Sequence, residues 1–79
     1  MRLFFDIVSE TSSTPDPEGA LFASLACARA EAILTIRELV GADLRACRKL
    51  DEHRWLEIRD PQGAMLAALP FADALREDI

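Results

Sequence analysis

Three kinds of side chain in this 79-residue chain could do chemistry: a single histidine, two cysteines, and aspartates set in Asp-Pro-X-Gly stretches. His53 would need a nucleophile or an orienting carboxylate beside it to act as a base. Asp51 and Glu52 are near in sequence, but RKLDE at 48–52 reads as a charged connection. A solvated surface histidine is the expectation. Cys27 and Cys47 fall on one expected helix, twenty residues apart. At 1.5 Å per residue that is roughly 30 Å. A disulfide needs Cα atoms within about 7 Å, so an intramolecular bond is excluded, and a shared metal with it. Cys47 is expected to pack in the apolar stripe of that helix, with Cys27 exposed.

DPEG at 16–19 and DPQG at 60–63 invite comparison with calcium and phosphate loops. An EF-hand loop needs oxygen ligands at alternate positions and a closing glutamate. DPQGAMLAALPF offers Asp60 and almost nothing ionisable after it. A phosphate loop needs several glycines and a lysine at a helix start. Both readings fail, and a turn remains. Proline fixes φ near −65°, aspartate accepts from backbone amides ahead of it, and glycine at the fourth place takes φ > 0. Asp60, Pro61 and Gly63 are therefore expected to close a bulged hairpin. The fourteen Asp and Glu residues are spread along turns and a polar helix face. No pair stands in an apolar setting that would shift a pKa. The sequence predicts no enzyme, no cofactor and no metal.

These residues must be held by a small scaffold. The length allows one domain, residues 1–79, burying roughly 60% of its unfolded surface. Apolar residues make up 51% of the sequence, which favours a globular fold over disorder. LFFDIV (3–8) reads as a strand, 9–19 as a polar loop, and ALFA (20–23) as a short returning strand. Ser24 is a plausible N-cap for a helix over 25–47. Its apolar stripe runs through Leu25, Ala28, Ala32, Ile36, Leu39, Val40, Leu44 and Cys47, with Glu31, Glu38 and Arg45 opposite. Leu34 falls off that stripe. HRWLEIR (53–59) and AMLAALPF (64–71) are the arms of the second hairpin, and ADALREDI is a polar tail. The expected fold class is α+β, in the order β-β-α-β-β: a four-stranded antiparallel sheet on one long helix.

FFD near the start, DPEG before the helix, ARAEA at 28–32, RDPQG at 59–63 and LPFADAL at 69–75 occur in that order. The ordered set resembles a family of small alphaproteobacterial proteins catalogued as Domain of Unknown Function 6894. The resemblance covers nearly the whole chain. It departs at Ser24, where the family pattern has an acidic residue, and at 9–15, where the loop is longer and more polar. It supports the fold and implies no activity and no site.

The net charge of −5 disfavours general nucleic-acid binding. No run approaches the ~20 apolar residues of a membrane span, nor the apolar core of a secretion signal. A cytoplasmic protein with reduced thiols is the simplest expectation. Alternation along the strands puts large apolar residues on both sheet faces, and one helix covers only one of them. If Ile58 stands opposite Leu66 and Leu56 opposite Ala68, then Leu56, Ile58 and Leu66 face the helix. Phe4, Trp55, Met65, Leu69 and Phe71 are then left on the other face, as a candidate interface for a second copy. The expected function is a non-enzymatic interaction module working as a homodimer. The alternative is an antitoxin-like or nucleic-acid-associated regulator, using Arg45, Arg48, Lys49, Arg54 and Arg59.

Overall fold

The computed structural model describes residues 1–49 and 53–76. Strand β1 (Arg2–Val8) is followed by two short strands, β2 (Ser13–Thr14) and β3 (Ala20–Leu21), and by the helix α1 (Leu25–Arg45). Strands β4 (Trp55–Arg59) and β5 (Met65–Pro70) then lead into a single helical turn, α2 (Phe71–Ala74). All pairings are antiparallel. The sheet order is β2-β1-β4-β5, and β3 also pairs with β1. The expected α+β architecture of an antiparallel sheet with one long helix is therefore present. The returning strand of the first hairpin is split in two, with DPEG between its halves.

The register explains which side is buried. Phe5 stands opposite Ile58, and Ile7 opposite Leu56. Leu56 and Ile58 are opposite Leu69 and Ala67. These side chains point at α1, where Ala28, Ala32, Ile33 and Ile36 meet them in one core with Leu3. At 21 residues α1 is about 32 Å long. The longest strand has seven residues, about 23 Å. The ends of α1 therefore overhang the sheet, and Leu25 and Leu44 of the expected stripe are exposed. Ile33 was not in that stripe and is buried, whereas Leu34 faces outward.

Three sequence expectations need correction. The pairing in the second hairpin is not Ile58 with Leu66, because a bulge shifts the register between Ile58 and Arg59. Beyond it every β5 side chain changes face relative to the expected alternation. The result buries Leu69 in place of Ala68 and leaves Leu66 exposed. Second, 72–76 is not simply a polar tail, and 77–79 lie outside the described residues. Phe71 and Ala74 of α2 are buried, and the Phe71 amide donates to Arg54 O at 2.9 Å. Third, Cys47 is exposed rather than packed. It lies past the helix end with φ at 56°, and its amide donates to Leu44 O while Arg48 N–H donates to Asp43 O. That is a Schellman ending, in which the C′ residue turns left-handed and leaves the helix.

Candidate functional site: the open sheet face

The side of the sheet away from α1 carries Phe4, Asp6 and Val8 of β1 against Arg59, Glu57 and Trp55 of β4. Ala68 and Pro70 of β5 continue it beside Glu57 and Trp55, and Met65 stands opposite Arg59. Alternation in WLEIR puts Trp55, Glu57 and Arg59 in one row. The Trp55 indole donates to Glu57 Oε2 at 2.9 Å. Arg59 Nη2 and Nε reach Glu57 Oε1 at 2.6 and 3.2 Å. The same guanidinium donates to Gly63 O at 2.7 Å and lies 3.5 Å from Asp6 Oδ2. The Trp55 hydrogen bond and the Arg59 pair hold the Glu57 carboxyl below the usual range, against a smaller opposing effect of burial. A carboxylate so held is a poor proton acceptor near neutrality. The row braces β4 along its length, and the Arg59–Asp6 pair ties it to β1.

Both DPxG stretches sit at one end of this face. Asp16 and Asp60 each accept from the amide two residues on, Glu18 at 3.3 Å and Gln62 at 2.9 Å. Asp60 Oδ1 also takes the Ala64 amide at 2.9 Å, and Gly63 N–H returns to Asp60 O. Asp60, Pro61 and Gly63 thus form the expected turn, with Gly63 at φ 85°. Asp16 does more than close its own turn. Its Oδ2 accepts the Phe5 amide of β1 at 3.1 Å, and its own amide donates to Asp6 Oδ1 at 3.0 Å. Burial opposes charge on Asp16, but the Phe5, Gly19 and Glu18 amides together bring its pKa below the ordinary value. A shallow cleft lies between the turns, floored by Phe4, Asp6 and Arg59 and walled by Pro15 and Pro61. Among the described residues no group of three or more His, Cys, Asp or Glu could hold a metal ion.

Of the five residues expected on this face, the structure leaves three there. Met65 is exposed, and Phe4 and Trp55 are half-buried. Leu69 and Phe71 belong to the core. The bulge turns Leu69 inward, and α2 folds Phe71 under Arg54, whose guanidinium is 4.7 Å from the ring centroid. Asp6 and Glu57 were not singled out from the sequence, and Arg59 only as a basic residue of the alternative reading; together they make the centre of the face charged rather than apolar. The 55-57-59 spacing is the signal that could have found two of them.

Arg48 and Arg54 converge on Asp43, at 3.0 and 2.8 Å, and their hydrogen bonds hold its carboxyl below the usual range. Arg59 is taken up by Glu57 and Asp6. His53 is exposed, and its sequence neighbours Asp51 and Glu52 lie outside the described residues. Both cysteines are free thiols.

The family model described as Domain of unknown function (DUF6894) matches residues 2–72. The chain belongs to this family. No curated protein and no solved structure matches. The matched stretch of the DUF6894 chain takes in the whole sheet, α1 and both DPxG turns, so its ordered motifs are the residues that shape this face. Among the described residues no helix of this DUF6894 member is long and apolar enough to cross a membrane.

Proposed function

We propose that the protein is a non-enzymatic interaction module of the cytoplasm, and that its partner is a second copy of itself. One observation carries the reading: α1 packs on one face of the sheet, while Phe4, Trp55 and Met65 stand on the other, over which no helix or strand of the described residues packs. Met65 is exposed, and Phe4 and Trp55 are half-buried around the charged centre of the face; large apolar groups left on an open face are a mark of an association site. Met65 lies on the edge strand itself and Trp55 one strand inward, so that side of the face is the natural contact. A twofold homodimer is the commonest way to cover such a surface. The non-enzymatic part of the reading is supported by the carboxylates of the face, which are engaged by Trp55, Arg59 and backbone amides instead of being poised for proton transfer.

Light scattering on purified protein tests the proposal. The expected mass is about twice the chain mass of 8.8 kDa. A monomer that stays soluble and folded across a dilution series overturns the homodimer.

A further inference from the structure

We propose that two copies join along their β5 strands, antiparallel across a twofold axis, so that two sheets become one. The inference rests on the homodimer reading above and sets the contact at the edge of the face, beside Met65, instead of over Phe4 and Trp55. Strand β5 ends the sheet order, and among the described residues β4 is its only pairing partner. An unpaired edge presents a row of backbone donors and acceptors that another strand can complete. The Phe71 amide bonds inward to Arg54 O. Antiparallel pairs alternate, so Leu69 and Ala67 also bond inward, while Ala68 and Pro70 turn their backbone groups outward. Pro70 has no N–H to leave unpaired there, which is why proline is tolerated on an edge.

The two edges of the sheet are built differently. The β2/β3 edge consists of two-residue strands broken by Pro15, Asp16, Pro17 and Glu18. Short strands, prolines and charges all discourage pairing. From Pro61 to Ala72 the chain carries no charged residue, although 29% of the sequence is charged. A second copy is the occupant that this pattern fits. Copies with a net charge of −5 repel one another, and β5 is where they can meet with no like charges in contact. With Ala68 on the axis, its N–H and C=O pair with those of the other copy's Ala68. Leu66 then stands opposite the other copy's Pro70. The bulge at one end and Pro70 at the other confine pairing to this short stretch. Since the contact uses both open edges and the remaining ones are blunted, assembly stops at two.

Sedimentation of the wild type and of Ala68→Pro, Ala68→Glu and Ala68→Lys tests the idea. Ala68 is exposed and its N–H faces away from β4, so each variant should keep the wild-type circular dichroism. The wild type should sediment as a dimer, and Ala68→Pro should bind itself roughly tenfold more weakly or worse. Ala68→Glu and Ala68→Lys should each be monomeric alone and form a heterodimer when mixed, because the position faces itself across the axis. A wild-type dimer that survives Ala68→Pro, or an Ala68→Glu and Ala68→Lys mixture that stays monomeric, overturns edge pairing and leaves the homodimer reading standing. A monomeric wild type overturns both. Should Ala68→Pro misfold, the mixing result alone decides.

Discussion

The Oδ2 atom of Asp16 accepts the backbone amide of Phe5 at 3.1 Å. A side chain thus stands where a neighbouring strand would offer a carbonyl, between the short pairings of β1 with β2 and with β3. Its Oδ1 serves Glu18 and Gly19. Asp16→Ala leaves these donors without partners, and Asp16→Asn puts an NH₂ where one oxygen was. Stranding a partly buried donor costs about 1–3 kcal/mol. Urea denaturation should show both variants less stable by that order, and an unchanged midpoint would exclude the bridging role.

The three glycines are not equivalent. Gly19 and Gly63 both have positive φ, 68° and 85°. A Cβ at Gly63 would touch nothing within 4 Å, whereas one at Gly19 would come 2.7 Å from Leu3 O and 2.9 Å from the Phe4 ring. Gly63→Val should therefore lower stability by a little over ~1 kcal/mol, for backbone reasons alone. Gly19→Ala adds a collision with backbone and should be the more damaging, although alanine is the smaller residue. Thermal melts of the two variants give the order directly.

Cys47 offers the opposite case. It holds the left-handed position of the Schellman ending without being glycine. An L-residue there costs about 1–2 kcal/mol relative to its preferred conformations. Its side chain is exposed, so Cys47→Gly removes strain and little packing. The melting temperature should rise, and a fall would mean that the thiol contributes contacts in solution.

Acid should weaken the fold in a definite direction. Asp16, Asp43 and Glu57 all have folded pKa values below the ordinary ones. The unfolded chain therefore takes up protons first, as pH falls below about 5. Stability is complete above that point and is lost as pH drops through the unfolded and then the folded values. Asp43→Asn should lower the melting temperature at pH 7 and reduce its pH dependence. The chain has one tryptophan, so fluorescence reads the Glu57 hydrogen bond directly. Its acid transition should fall below the ordinary glutamate value. Arg59→Ala should move that transition upward, and an unmoved one would show that the ion pair is ineffective.

Much of this scaffold was legible in LFFDIV, Ser24, the helical stripe and DPQG, because turn chemistry and periodicity are local. Ser24 accepts from Cys27 N–H at 3.1 Å, as an N-cap should. The bulge was not legible. It depends on burying Leu69 rather than Ala68, a preference fixed by α1 from across the sheet. The fate of Phe71 was hidden for the same reason, since only the folded chain brings Arg54 over its ring. Asp6 sits inside LFFDIV with no partner nearby in sequence, and its partners Arg59 and Asp16 lie farther along the chain.

The middle of the sheet is also its most distant pairing along the chain. Val8 lies opposite Trp55, 47 positions later, while the pairings on either side join near neighbours. Hairpins close in microseconds, but bringing together ends so far apart costs more chain entropy. The two halves cannot share a core until that gap is bridged. Helix α1 lies within it and replaces 21 residues of coil by a rod about 32 Å long. The order of events follows: local turns and the helix form early, and docking of β4 on β1 sets the folding rate. Changes that firm up α1 should therefore quicken refolding, whereas damage to contacts formed after docking should chiefly hasten unfolding.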